Sequence, residues 1–246
     1  MLASLQAAHR AGHRRFALLL DPDHAEPAAL ARLLPLAEAA GTDYLLLGGS
    51  LVSRLALDAL IREIRMHTQL PVVLFPGHPL QLSGQADALL YLSLISGRNP
   101  EYLIGHHVAS APLLAQLQLE VIPTGYMLVD CGRSTSASYM SGTQPLPYDK
   151  PELAQYTALA GQYLGLQCLY LDGGSGAERP ISPDMIRAVR GQVQLPLLVG
   201  GGLRTVAHIQ QALAAGADCV VVGTALERTQ DADLLLDLVQ AVKSFV

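Results

Sequence analysis

Three glycine-rich turns follow apolar runs in the later part of the chain. They read Tyr170-Leu171-Asp172-Gly173-Gly174-Ser175-Gly176, then Val199-Gly200-Gly201-Gly202-Leu203-Arg204, then Val222-Gly223-Thr224. Glycine lets backbone N–H groups approach an anion closely, and a helix N-terminus just beyond adds a favourable dipole. Three such turns converging on one end of a fold point to a phosphate-bearing ligand. Tight strand-to-helix turning also uses glycine and accounts for any one of them alone. A second set lies earlier: Asp21-Pro22-Asp23-His24 closes one apolar run and Gly48-Gly49-Ser50 closes the next. If those runs are adjacent strands, Asp21 and Ser50 share a face. A carboxylate with a hydroxyl is a common way to hold Mg²⁺, which keeps waters and takes phosphate oxygens as its other ligands. Helix capping is the alternative use of both residues; a phosphate site opposite favours the metal.

Other polar residues carry weaker signals. His9 and His13 stand four apart on a helical segment, where surface histidines are the usual case. His106 and His107 are adjacent and are expected to be solvated. Tyr126 and Tyr170 fall within or at the end of apolar runs, and a tyrosine aimed into a barrel mouth finds a polar partner for its hydroxyl. Cys168 and Cys219 read as small core residues. With Cys131 they make three cysteines without CxxC spacing. Neither a disulfide framework nor a zinc site is expected, and a reducing cytoplasm is the expected setting.

These residues need elements to position them. Apolar runs cover 16–20, 44–47, 71–75, 88–94, 121–129, 168–171, 195–199 and 219–222, nearly all closed by Gly, Asp or Ser. Segments with helical spacing, 26–40, 51–68, 100–117, 151–164, 205–215 and 231–245, lie between most of them. Short unbroken apolar runs read as strands buried on both faces of a parallel sheet. Their alternation with helices gives parallel strands and crossovers. The reading is an α/β fold, a single (β/α)8 TIM barrel over 1–246 with an N-terminal helix over 1–14. A doubly wound sheet is the rival and has no need of eight units. Two places are irregular. Residues 76–87 hold two Pro and two Gly, barely enough for a crossover helix, so the third helix is expected to be missing or replaced by an extended segment. The stretch 131–150 is rich in Ser, Thr, Gly and Pro and has no helical period. It follows the fifth strand and reads as a long active-site loop. A disordered insertion is the other reading, but Arg133, Tyr139 and Lys150 favour a lid.

Composition removes several classes. With 50% apolar and 15% charged residues, disorder is excluded. A mean hydropathy of +0.31 raises the question of a membrane, yet no run approaches the roughly 20 residues of a spanning helix. Arg14-Arg15 precede an apolar run too short for a signal peptide, and that run ends in Asp-Pro-Asp. The net charge of −5, with Lys and Arg scattered, leaves no basic stripe for nucleic acid.

Taken together, the motifs resemble the geranylgeranylglyceryl phosphate synthase family, which includes the bacterial heptaprenylglyceryl phosphate synthases. The resemblance rests on LLLDPDH (18–24), LLLGGS (45–50), PVVLFPG (71–77), LYLSLISGRNPEYLIGHHV (90–108), EVIPTGYMLVD (120–130), YLDGGSGA (170–177), LLVGGGLRT (197–205) and VVGTALE (221–227), in family order and over nearly the whole chain. The stretch TSASYMSGTQPLPYDKPELA (135–154) is similar to the larger branch of that family, with its Bacteroidetes-like bacterial members. The resemblance implies a modified TIM barrel lacking a regular third helix. It implies Mg²⁺-dependent transfer of a polyprenyl group, geranylgeranyl before others, from its diphosphate to the C3 hydroxyl of sn-glycerol 1-phosphate. Carried over by position, Asp21 and Ser50 would hold Mg²⁺. Asp21, His24, Ser50 and Tyr126 would line the prenyl diphosphate side. Tyr170, Leu171, Asp172, Gly173, Gly174, Ser175, Gly176, Gly201, Gly202, Gly223 and Thr224 would bind glycerol 1-phosphate. Asp172, with Tyr170, would be catalytic, its carboxylate orienting or deprotonating the attacking hydroxyl.

Three positions depart from the family pattern. Asp172-Gly173 stand where the motif YLEAGSG has Glu-Ala, and His24 stands at the lysine of DPDK. A neutral histidine supplies less charge to a diphosphate than lysine. The resemblance further implies a homo-oligomer, dimer or hexamer, that is cytoplasmic, lacks a transmembrane segment and passes a lipid product to the membrane. The prenyl tail would run in an apolar groove beside the thin third segment and the 99–117 helix. Rival functions are a phosphate-binding barrel isomerase or lyase, a flavin-binding barrel, and a barrel that binds prenyl lipid or phosphate without turnover. No lysine precedes Lys150, which excludes Schiff-base chemistry on the first four strands.

Overall fold

A computed structural model describes residues 1–50, 57–229 and 231–245, with backbone alone at 227–229. Eight strands close in sequence order into one barrel, every pairing parallel. They are β1 (Arg15–Leu20), β2 (Tyr44–Leu47), β3 (Val72–Leu74), β4 (Ala88–Leu94), β5 (Glu120–Leu128), β6 (Cys168–Asp172), β7 (Leu197–Gly200) and β8 (Cys219–Val222). Each expected run is a strand, with ends moved by one or two residues. The runs are unbroken because alternate residues enter two different cores. Ala17, Leu46, Val73, Leu90, Leu198 and Val221 fill the barrel. Phe16, Leu18, Leu45, Leu47, Val199 and Val220 pack outward against the helices.

The helices are α1 (Leu2–Ala11), α2 (Pro27–Ala40), α3 (Leu57–His67), α4 (His106–Leu114), α5 (Ser136–Ser141), α6 (Pro151–Tyr163), α7 (Pro183–Arg190), α8 (Val206–Ala214), α9 (Thr224–Thr229) and α10 (Ala232–Lys243). Leu5 of α1 joins the interior core, so this helix closes the N-terminal end of the barrel. The expected helix over 51–68 appears as α3 from Leu57 onward; positions 51–56 lie outside the described residues. The segment between β3 and β4 holds no helix, which meets the expectation from its length. It is tied back by Asp87, whose carboxylate accepts the Val72 N–H at 2.7 Å and the Arg65 guanidinium at 2.6 Å. Among the described residues no helix is long and apolar enough to cross a membrane.

Three local readings need correction. The stretch 131–150 is not free of helix. Thr135 Oγ1 accepts the Ser138 N–H and Ser138 Oγ accepts the Thr135 N–H, at 3.2 and 3.1 Å, a capping box that starts α5. Six residues are too few to display a period. The stretch also returns to the barrel, with Leu146 and Leu128 bonded at 2.8 Å and Asp130 and Leu146 at 2.9 Å. The expected helix over 100–117 opens with a wider five-residue turn, Glu101–Gly105, before α4. Finally, α7 was not among the helical segments read from spacing. It is eight residues long, started by Pro183 and capped by Ser182 Oγ on the Met185 N–H at 3.2 Å.

Candidate active site

The C-terminal ends of β1, β2, β5, β6, β7 and β8 surround a cleft of about 350 Å³, the size range of small-molecule sites. Tyr170 and Asp172 reach it because they alternate with outward-facing residues along β6. Asp172 is 7% exposed. Its Oδ2 accepts the Tyr126 hydroxyl at 2.7 Å and its Oδ1 accepts the Gly174 N–H at 2.8 Å. Burial pushes its pKa above the ordinary carboxylate range, while those two hydrogen bonds pull the other way. Burial, reinforced by the Asp172 charge, holds the Tyr126 hydroxyl well above the usual phenol value. Tyr126 therefore stays a proton donor to an acid of enhanced basicity.

The three glycine turns meet on the opposite wall. Gly174, Gly176, Gly201 and Gly202 all have φ between +73° and +79°, where a side chain is strained. At Gly201 a Cβ would also lie 2.5 Å from the Gly173 nitrogen, so two turns touch backbone to backbone. Ser175 Oγ and Thr224 Oγ1 are 3.1 Å apart, linking the turns after β6 and β8. Arg204 lines the same wall, its guanidinium donating to the Ala177 and Glu178 carbonyls.

The N-terminal set faces this wall. Asp21, Asp23, His24, Gly49 and Ser50 line the cleft. Asp21 Oδ1 accepts the Asp23 N–H at 2.9 Å, and Oδ2 lies 3.5 Å from His24 Nδ1. A Cβ on Gly49 would sit 3.5 Å from Asp21 Oδ2, so the β1 carboxylate borders the β2 turn that carries Ser50. Among the described residues no group of three or more His, Cys, Asp or Glu forms a metal cage. One carboxylate and one hydroxyl bordering a phosphate-sized cleft make a sparse, hard-oxygen donor set. That set fits Mg²⁺, which is bound by few protein ligands with substrate oxygens and water.

An apolar groove opens beside the cleft where the third helix is missing. Its lining includes Phe75, Pro79, Leu82, Leu92, Tyr102 and Met140, so the expected groove beside the third segment and α4 is present. His107 is 9% exposed and His106 half-buried, and both line the groove. The expectation that they are solvated is overturned. α4 buries a narrow stripe, His107, Ser110 and Leu114, and His106 sits at its edge, where the groove opens. Burial lowers the pKa of both rings, with His78 and His106 respectively adding repulsion. His9 also departs from a surface role. It is half-buried at the far end of the barrel, with Nδ1 3.1 Å from both Asp218 oxygens; His13 is exposed. Cys168 and Cys219 are fully buried in their strands.

Of the assigned positions, Asp21, His24, Ser50, Tyr126, Tyr170, Asp172, Gly174, Ser175, Gly176, Gly201, Gly202, Gly223 and Thr224 line the cleft. Leu171 and Gly173 do not. Leu171 points outward into the helix-side core because strand neighbours face opposite ways. A Cβ on Gly173 would point at Cys131 Sγ, 2.9 Å away. Among the cleft residues not assigned from sequence are Asp23, Gly49, Phe75, Ser136, Ala137 and Arg204. Phe75 and Arg204 stood inside the motifs PVVLFPG and LLVGGGLRT, and Ser136 and Ala137 inside the similar stretch 135–154.

Comparison with known proteins follows the same lines. The model of the PcrB family matches residues 9–243. The chain is 53% identical over 234 residues to the geranylgeranylglyceryl phosphate synthase of Spirosoma linguale, covering 95% of this chain and 93% of that one. Against the geranylgeranylglyceryl phosphate synthase of Chitinophaga pinensis it is 48% identical, over 94% and 91%. Its structure matches the crystal structure of (S)-3-O-geranylgeranylglyceryl phosphate synthase from Thermoplasma acidophilum in complex with sn-glycerol-1-phosphate. There the TM-score is 0.93 and the identity 33%, over 100% of this chain and 99% of that chain. With a family match across almost its full length, and a barrel whose thin third segment and glycine turns follow the motifs that resembled the geranylgeranylglyceryl phosphate synthases, the chain belongs to the PcrB family.

Proposed function

We propose that this chain is a prenyltransferase that joins geranylgeranyl diphosphate to the C3 hydroxyl of sn-glycerol 1-phosphate, making the ether bond of a prenylglyceryl phosphate, with Mg²⁺ as cofactor. The observation that carries the reading is one buried carboxylate, Asp172, in a glycine-walled polar cleft, hydrogen-bonded to Tyr126 where that cleft meets an apolar groove. The cleft suits two phosphate-bearing groups, and the groove suits a hydrocarbon tail. The glycine turns after β6, β7 and β8 hold the glycerol phosphate through backbone N–H groups. Asp21 and Ser50 would hold Mg²⁺, which when bound would neutralise diphosphate charge and make it a better leaving group. The C1–O bond of the donor breaks with its electron pair leaving on the diphosphate. The glycerol C3 oxygen forms the new C–O bond, and its proton passes to Asp172. Tyr126 and the Gly174 N–H keep the carboxylate aimed; fixing two reactants in place can lower a barrier by up to about 7–11 kcal/mol. Ser136 and Ala137 of the 131–150 stretch cover the cleft and keep water from the electrophile.

The chain acts as a cytoplasmic homo-oligomer, dimer or hexamer, whose product passes to a membrane. This part of the reading is supported by the family pattern and by exposed apolar side chains such as Ile104, Val108, Tyr156 and Leu164.

The test is incubation with radiolabelled glycerol 1-phosphate, geranylgeranyl diphosphate and Mg²⁺. Label is expected in the organic phase. Asp172→Asn, which keeps the volume and removes the base, should lower kcat by about 100-fold or more. Asp21→Ala should raise the Mg²⁺ concentration for half-maximal rate. Tight binding of both substrates with no organic-soluble label from the wild-type chain would favour a binding barrel instead.

A further inference from the structure

The groove and the cleft share five lining residues, Gly49, Ser50, Phe75, Tyr126 and Ala137. A ligand with its tail in one and its diphosphate in the other must pass this junction at its first carbon. Two of the five residues are aromatic. The Phe75 ring centroid lies 5.8 Å from that of Tyr126 and 5.3 Å from that of Tyr170, and the two tyrosine rings are 5.7 Å apart. The Phe75 backbone is fixed: its N–H bonds to the Leu47 carbonyl at 2.8 Å, and a Cβ at Gly48 would collide with its own carbonyl. The chain thus brings two strands into close approach at the position that presents this ring. Tyr126 has a second task through its hydroxyl, which is bonded to Asp172. Phe75 has no polar atom. What its ring adds is a negative π face, which attracts a cation in a site shielded from water.

We propose that Phe75 is a further catalytic residue whose ring face, alongside that of Tyr126, stabilises the positive charge developing on the allylic carbon as the diphosphate departs. The inference rests on the prenyl-transfer reading above. The ring forms no bond and takes no electrons. The C1–O pair leaves with the diphosphate, and the charge is quenched when the glycerol oxygen donates its pair and releases its proton to Asp172.

Fluorination tests this without changing shape much, because each fluorine weakens the π face. Mono-, di- and trifluorophenylalanine are placed at position 75 of the full chain, and single-turnover rates are measured with saturating glycerol 1-phosphate, geranylgeranyl diphosphate and Mg²⁺. The rate should fall stepwise with fluorine number, by about tenfold or more in total, while donor affinity stays level. A flat series overturns the proposal. Phe75→Leu and Phe75→Tyr serve if the fluorinated chains do not fold. The leucine variant should lose about tenfold or more in kcat with donor KM little changed, and the tyrosine variant should retain most of the rate. Equal rates in the two again overturn the proposal. Wild-type protein that makes no ether product fails the prenyl-transfer reading itself, whereas a normal wild-type rate with a flat series fails only the role of Phe75.

Discussion

Asp172 must be basic enough to take a proton and ordered enough to take it from one oxygen. Its burial serves the first need, and its bonds to Tyr126 and Gly174 serve the second. Since its pKa is raised, the carboxylate is protonated, and the base lost, as pH falls through a value above the ordinary carboxylate range. kcat/KM for glycerol 1-phosphate should therefore show an ascending limb there. Tyr126→Phe removes a hydrogen bond that favours the ionised form, so the limb should move to higher pH as the rate drops. An unmoved limb would take Asp172 out of the role of base. The departure at Gly173 has its own partner. A Cβ there would meet Cys131 Sγ at 2.9 Å and Ala177 Cβ at 3.3 Å. Gly173→Ala should cost about 1–3 kcal/mol of stability through overpacking, and adding Cys131→Ala should recover much of it. Additive costs in denaturant melts would show that the two positions are uncoupled. At this scale the sequence made the glycines, Asp21, Ser50 and Asp172 legible because each closes an apolar run. A contiguous motif hides which of its side chains face the cleft, and Leu171 and Gly173 fall outside the lining.

At the scale of elements, the site depends on a helix that is absent. With no crossover helix after β3, the groove opens between the 75–82 segment and α4. That gap was legible as a count of residues, and so were all eight strands, since burial on both faces leaves nothing polar to interrupt them. What could not be read were features made by one or two local bonds. The Thr135–Ser138 capping box falls below the length at which a period shows, whereas α7 carried readable signals in its Ser182-Pro183 start and its apolar Met185, Ile186 and Val189. The inward position of His107 follows from tertiary packing of α4, which adjacent residues do not reveal. His107 Nε2 lies 3.3 Å from Ser93 Oγ, and the Tyr91 hydroxyl donates to its carbonyl at 2.7 Å. Burial holds both groove histidines below the usual histidine value, so they are neutral where donor binds. Acid then puts charge into an apolar groove, and the KM for geranylgeranyl diphosphate should rise as pH falls through their lowered values, with the KM for glycerol 1-phosphate less affected. The unfolded chain takes up those protons first, so stability should fall as pH drops from the ordinary histidine value to the lowered ones. His106→Asn, which cannot be protonated, should flatten the donor profile; an equally steep profile would place the titrating group elsewhere.

Across the whole molecule, the barrel keeps its chemistry and its cohesion at opposite ends. Cohesion at the N-terminal end centres on Asp218, which is 2% exposed. It accepts the Leu197 N–H at 2.8 Å, Arg190 Nη2 at 2.5 Å and Arg14 Nη1 at 3.1 Å, with His9 beside it. One carboxylate thereby joins the lead-in to β1, the start of β7, the end of α7 and the helix α1 that plugs the barrel. Asp43 does similar work nearby, taking Arg15 and Lys243 at 2.8 Å each and so tying α10 to β1. Removing one partner of a buried ion pair leaves the other uncompensated, which typically costs about 3–5 kcal/mol. Asp218→Asn keeps the shape and removes the charge, stranding Arg190. It should lower the unfolding free energy by on the order of 3 kcal/mol, read as a lower denaturant midpoint. The turns that bind substrate lie at the other end of the strands, as is general for this architecture. The folded variant should therefore keep kcat and both KM values within about twofold, a change worth less than 0.5 kcal/mol in barrier. A large fall in kcat at unchanged stability would mean that the N-terminal ion pairs reach the cleft through the strands, and that the two ends are not independent.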